Sequence, residues 1–135
     1  MINKNILKHL HKHHKGEISE EELYDAYKIF FGALVSEPRL KIINLLRNNK
    51  KTVSEIMQEF KMDQTSTSHN LARLKICGFV KSEVNGKFRY YYLNKETIKP
   101  LIEIINKHMS QHCVHILRAM KKNNKMKGGN EHERR

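Results

Sequence analysis

A mainly α-helical chain with one small β-hairpin, an α+β fold in the order α-α-α-α-β-β-α, is predicted by three features of the sequence. Two Ser/Thr-x-x-Glu spacings, Ser19 to Glu22 and Thr52 to Glu55, stand ahead of apolar residues at helical intervals. A short helical pattern, a three-residue turn and a polar-fronted helical pattern follow one another over residues 53–77. Asn85-Gly86 lies between β-branched and aromatic residues, and both tolerate the positive φ of a tight hairpin turn.

The elements follow in order. Ser19 and Glu22 open a first helix that carries Leu23, Ala26, Tyr27, Phe30, Phe31 and Leu34 on its apolar side. "SEPRL" interrupts it, and Pro38 suits the first turn of a second helix capped by Ser36 or Glu37. Leu40, Ile42, Ile43, Leu45 and Leu46 supply that helix's apolar face, and "NNKK" ends it. Thr52 and Glu55 open a short amphipathic helix with Val53, Ile56, Met57 and Phe60 at i, i+3, i+4 and i+7. After the turn "KMD", Asp63 caps a helix over "QTSTSHNLARLKICG", and Gly78 stops it just past its end. Leu71 and Leu74 are plainly apolar there, with Ile76 or Cys77 near the end. The hairpin "FVKSEVNGKFRYYYL" comes next. Asn94 then caps one long last helix with Ile98, Leu101, Ile102, Ile105, Met109, Ile116 and Met120 as its stripe.

Composition bounds the partners. The 135 residues are 39% hydrophobic and 30% charged, which suits one globular domain. Lys and Arg outnumber Asp and Glu by 26 to 14, a net charge of +12, which favours a polyanion such as nucleic acid or an anionic membrane. No apolar run approaches the roughly 20 residues that span a bilayer. The start "MINKNILKHLHKHHKG" has no apolar core or cleavage site of a signal peptide. Cys77 and Cys113 are too few for a disulfide framework, so reduced thiols and a cytoplasmic location are expected. Residues 1–17 read as a basic, His-rich arm, 18–120 as the folded domain and 121–135 as a basic, flexible tail.

The chemistry concentrates in the polar-fronted helix. A short helix, a turn and a helix with a polar first half describe a helix-turn-helix, whose second helix enters the major groove of DNA. Gln64, Thr65, Ser66, Thr67, Ser68, His69 and Asn70 all carry hydrogen-bonding groups. Gln and Asn can read adenine bidentately, and Ser and Thr reach base edges or phosphates. A carboxylate repels phosphate, so Asp63 is assigned to capping. Arg73 and Lys75 face solvent and can anchor the DNA backbone, as can Lys87 and Arg89 on a hairpin that projects like a wing. The alternative for "QTSTSHN" is an exposed helix start of poor propensity.

"ALVSEPRLKIINLL", "MDQTSTSHNLARLKICGFV" and "NGKFRYYYL" resemble the ArsR-type winged helix-turn-helix repressors over roughly residues 23–118. The resemblance implies DNA contacts from Gln64, Thr65, Ser68 and His69, with Lys87 and Arg89 on the wing. It also implies a homodimer built from the first core helix and the last helix. The long apolar stripe of the last helix, more than a small core needs, agrees. Such a dimer sets two recognition helices about one DNA turn apart on a palindromic double-stranded operator.

Members of this family are often metal sensors, released from DNA by the metal. The Cys-x-Cys of one family site is absent from "TVSEI", and the Asp-x-His of another is absent from "NKETIKP". His112-x-x-His115 resembles the other half of that second site, with His108 one turn earlier. On a continuous helix His108, His112 and His115 share a face that suits Zn, Ni or Co, while Cys113 points away from it and is a fourth candidate ligand. The alternative is that these histidines are polar members of a dimer seam. His9, His11, His13 and His14 of the arm could supply metal ligands or simply add charge near DNA. Cys77 reads as a small core residue, and nothing in the spacing argues that it meets Cys113.

The sequence therefore points to a DNA-binding transcriptional regulator, a dimeric repressor with a metal as leading effector, and not to an enzyme. Two alternatives stand beside it: the same DNA binder with no small-molecule effector, and a non-specific nucleoid-coating protein.

Overall fold

Side-chain caps set where the helices start. In this computed structural model, which describes Ile6, Lys8 and residues 16–132 with side chains as far as residue 128, α1 (Glu20–Leu34) opens on Ser19. Ser19 Oγ accepts the Glu22 N–H at 3.1 Å, and Glu22 Oε2 accepts the Ser19 N–H at 2.8 Å. α2 (Glu37–Leu45) opens on Ser36 with Pro38 in its first turn, where the missing N–H costs no helix bond. α3 (Val53–Phe60) repeats the reciprocal cap through Thr52 and Glu55, at 3.2 and 2.8 Å. The chain turns at Lys61, a non-glycine held at φ 51°, and α4 (Gln64–Ile76) begins under Asp63, whose Oδ1 accepts the Ser66 N–H at 2.7 Å. Each cap satisfies donors that a helix start leaves without partners.

α4 ends as decisively. The Gly78 N–H donates to the Lys75 carbonyl at 3.1 Å and the Phe79 N–H to the Leu74 carbonyl at 2.9 Å. Closing both bonds needs the left-handed φ of 76° at Gly78. The chain then runs out as β2 (Val80–Asn85), turns at Gly86 (φ 64°) and returns as β3 (Phe88–Leu93). The antiparallel register runs from Val80 opposite Leu93 to Asn85 opposite Phe88. A third strand, β1 (Lys51–Thr52), pairs Lys51 with Tyr91 and Thr52 with Tyr90 on the far edge of β3. Two residues are too few to show alternation, so the sequence pattern does not foretell β1.

Leu23, Ala33, Ile42, Ile43, Leu46, Ile56, Leu71, Leu74, Phe79, Val80 and Leu93 form the buried core of this unit. Phe79, fully buried, stacks at a tilt on Phe30 with ring centroids 5.2 Å apart. Lys50 Nζ binds Glu83 Oε1 at 2.8 Å and lies 5.2 Å from the Tyr90 ring centre. The hydrogen bond to Glu83, then its charge, hold the Lys50 ammonium above the ordinary lysine pKa.

The second unit departs from expectation. Asn94 does not cap the last helix: its N–H donates to the Phe79 carbonyl at 3.0 Å and its Nδ2 to the Gly78 carbonyl at 3.1 Å. It thus ties the end of β3 to the end of α4, and Thr97 stands at the start of α5 (Ile98–Gln111). Nor is the last helix continuous. His112 sits at φ −126° and ψ −66°, and α6 (Cys113–His132) follows it. Ser110 Oγ donates to the Lys107 carbonyl at 2.7 Å, a back-bond of the kind that bends helices. α6 runs through most of the segment expected as a flexible tail, since Lys, Arg and Met favour helix and lengthening an existing helix is easy. By its contacts the chain divides into a compact unit through Asn94 and another from Lys95, in which α5 and α6 contact each other. Of the arm expected over 1–17, His9, His11, His13 and His14 lie outside the described residues.

One side chain joins three helices of the first unit. Arg39 Nε donates to the Ala33 carbonyl at 2.7 Å and Nη2 to the Gly32 carbonyl at 3.2 Å, taking up carbonyls at the open end of α1. Nη1 reaches Asn70 Oδ1 of α4 at 3.5 Å. A lysine ammonium has no planar fork to serve three acceptors at once. Arg39→Lys is therefore expected to lower stability by about 1–3 kcal/mol. The check is urea unfolding at fixed protein concentration: the midpoint should fall with the slope unchanged.

Candidate nucleic-acid interface

α4 has two faces. Thr67, Leu71 and Leu74 are buried, and the Thr67 hydroxyl donates to the Asp63 carbonyl at 2.8 Å. The opposite side exposes Gln64, Thr65, Ser68, His69, Ala72, Arg73 and Ile76. Positions 65, 68, 69, 72 and 76 follow the i, i+3, i+4, i+7, i+11 pattern of one helix face. Among the described residues, the side chains of Gln64, Thr65, Ser68 and His69 make no hydrogen bond within the chain. Their donors and acceptors are directed to whatever lies outside.

One residue expected to read DNA is engaged elsewhere, and another is only half exposed. Asn70 is half-buried: its Nδ2 donates to the Ser66 carbonyl at 3.0 Å and its Oδ1 faces Arg39. It serves to fix α4 against α1 and α2, because the Arg39 guanidinium supplies a donor on that side. Ser66 is half-buried as well; its backbone N–H and carbonyl serve Asp63 and Asn70, while among the described residues its hydroxyl makes no hydrogen bond. Asp63 holds the cap, as the charge argument requires.

The face also includes residues that sequence reasoning passed over. Ile76 is 83% exposed, while Cys77 is half-buried, so the apolar residue at the helix end belongs to the outer face. Ala72 leaves that face without a bulky side chain near its middle. Helical phase counted from Leu71 and Leu74 would have separated Ile76 from the core. An exposed Ala or Ile can meet a thymine methyl in a major groove.

Basic groups flank this face. Lys75 Nζ and Arg89 Nη1 both donate to Ser82 Oγ, at 3.0 and 3.2 Å. Two cations therefore converge on one hydroxyl where α4 meets the wing. Among the described residues neither is ion-paired, since Glu83, the neighbour of Ser82, is taken by Lys50. Lys87, at the wing tip, is exposed with its Nζ 5.5 Å from the Phe88 ring centre. Arg73 is exposed on α4. This arrangement of hydrogen-bonding groups bordered by cations can take a polyanion with an edge to read, and supports two kinds of contact, positioning and sequence-reading.

The histidines behave differently. The His108 and His112 rings lie 4.6 Å apart, but His112 is the break residue, so the continuous face of His108, His112 and His115 does not form. Cys113, exposed, starts α6. Among the described residues no three His, Cys, Asp or Glu side chains come together as a metal site. The described residues of one chain therefore do not by themselves make a complete metal shell. Among the described residues, also, no helix is long and apolar enough to cross a membrane.

This geometry has relatives. The chain is 33% identical over 86 residues to an uncharacterized HTH-type transcriptional regulator of Methanocaldococcus jannaschii, covering 63% of this chain and 97% of that one. It is 32% identical over 81 residues to the transcriptional repressor SdpR of Bacillus subtilis, covering 57% and 90%. The fold is similar to the homodimeric winged helix-turn-helix DNA-binding domain Mb0332 of Mycobacterium bovis, with a TM-score of 0.64 at 27% identity over 73% of this chain and 93% of that one. Residues 36–82, from the Ser36 cap to the Ser82 hydroxyl, match the family described as bacterial regulatory protein, arsR family. The chain belongs to the arsR family of DNA-binding transcriptional regulators.

Proposed function

We propose that the chain is a sequence-specific repressor that binds a palindromic operator as a homodimer in the cytoplasm. The observation that carries this reading is the outer face of α4, where Gln64, Thr65, Ser68 and His69 have no partners among the described residues and cations stand on either side. Two further facts support a dimer. Tyr24, Tyr27 and Phe31 of α1 form a run of rings 6.4 and 6.3 Å apart, all more than 40% exposed, a patch that a second copy would cover. α5 leaves Ile104 65% exposed. A two-fold dimer pairs two α4 helices with two half-sites, hence the palindrome.

The residues divide by role. Gln64, Thr65, Ser68 and His69 read bases. Arg73, Lys75, Lys87 and Arg89 hold phosphates. Gln64→Ala or His69→Ala should cost about 1–3 kcal/mol on the operator and much less on random duplex DNA. Titration of both DNAs at matched salt checks this; equal losses on the two would remove the residue from base reading. Arg89→Ala should weaken both and reduce the slope of log K against log salt by about two units, one from each protomer of the dimer. An unchanged slope would take Arg89 off the phosphates. If the wild type itself prefers its operator by less than about 10³-fold, a nucleoid-coating role replaces the repressor.

The close pair of His108 and His112 favours one second reading, release by a metal ion. With no third ligand beside them among the described residues, such a site would draw on a second copy, with His115 or Cys113 as candidate additions. Metal-stripped protein titrated with Zn, Ni or Co should then lose operator affinity, and the double variant His112→Ala/His115→Ala should not. Operator affinity that none of the metals changes would leave a repressor without a metal effector.

A further inference from the structure

α6 lies outside residues 36–82 that match the family, and its charge is arranged. Arg118, Lys121, Lys122 and Lys125 follow each other at i, i+3, i+4 and i+7, which puts them on one face of the helix. Ile116 and Met120, each more than half exposed, stand on the other side, with Leu117 at the border of the two faces. No Asp or Glu occurs from Cys113 to Asn130. All four basic side chains are exposed, and among the described residues none is ion-paired. A solvated helix surface ordinarily mixes signs, because i,i+4 pairs of opposite charge support the helix and pairs of like charge oppose it. Here Arg118 with Lys122, and Lys121 with Lys125, are both like-charge i,i+4 pairs. The sequence accepts that repulsion, and a bound polyanion would relieve it.

We infer that the basic face of α6 is a second DNA-contacting element, one that grips phosphates and reads no sequence. The inference rests on the DNA-binding reading above, and charge complementarity selects the occupant. The stripe extends roughly 10 Å along the helix, and a duplex offers a negative charge about every 1.7 Å of its axis. Four cations on one short face can therefore each meet a phosphate. Contacts of this kind release counterions and contribute nothing to base preference, so their signature is salt dependence. Four of them on each protomer of the dimer would make affinity fall by an extra factor of about 10⁴ between 50 and 200 mM salt.

The test replaces Arg118, Lys121, Lys122 and Lys125 together by Gln, which keeps helix propensity and side-chain length while removing charge. Binding of the full-length wild type and variant to operator and to random duplex is measured across salt. The variant's slope should be shallower by about seven units for the dimer, which carries the stripe twice, with the operator-to-random ratio at a given salt unchanged within about twofold. A slope that changes by less than one unit overturns the inference. So does a tenfold fall in the ratio, since that would make the stripe a reader of bases. Far-UV circular dichroism checks that α6 persists. If the fourfold variant loses helix, Lys122→Gln and Lys125→Gln are measured singly, and each must then remove about two units, one from each protomer. Failure here with normal wild-type operator binding would leave the repressor reading intact. A wild type that binds no DNA would remove the repressor reading instead.

Discussion

The Arg39 guanidinium is the contact on which the geometry of the first unit depends. The C-terminal end of α1 leaves carbonyls without donors, and Arg39 supplies two of them from the first turn of α2. The same fork faces Asn70, whose amide then closes on the Ser66 carbonyl within α4. A planar, permanently charged group with several N–H bonds can satisfy all of these at once, which no other side chain does. The orientation of α4, and so which of its residues face outward, is coupled to a single arginine that touches no part of the outer face.

That coupling explains the division of labour along α4. Thr67, Asn70, Leu71 and Leu74 are consumed by the fold, and the Asp63 carboxylate by the cap. The residues left over are the ones whose polar atoms have nothing to bind among the described residues. Asn94 and the left-handed Gly78 then fasten the start and end of the hairpin to the end of α4, so Ser82 can sit where Lys75 and Arg89 both reach it. Wing and helix share one hydroxyl, and are positioned together.

Much of this was legible in the sequence because it is local. Ser19–Glu22, Thr52–Glu55, Asp63, Gly78 and Asn85-Gly86 act within a few residues of themselves, and each appears in the structure as its spacing implies. What could not be read depends on distant partners or on competition. Asn70 looked like a base reader because its type suits one; only Arg39, 31 residues away, shows it to be engaged. Asn94 looked like a cap, but the Gly78 carbonyl, 16 residues back, takes its amide. The apolar stripe of the last helix hid the break at His112, since periodicity records faces and is blind to a back-bond from Ser110. The polar segment after Met120 looked unstructured for want of apolar residues, yet it continues a helix already begun. Within the outer face, type alone favoured polar residues, and so Ala72 and Ile76 were missed.

If the outer face of α4 reads bases as proposed, its unpartnered polar groups have a consequence for how errors are rejected. In the free protein, water satisfies Gln64, Thr65, Ser68 and His69. Docking in a groove strips that water whether or not the bases match. On a matching sequence the exchange is nearly even. On a wrong one, the groups are left dehydrated with nothing to bind, at about 1–3 kcal/mol for each. Discrimination on this face then comes less from attraction to the right sequence than from the cost of closing over the wrong one. Cations around the rim hold any duplex near the surface long enough for that cost to be felt.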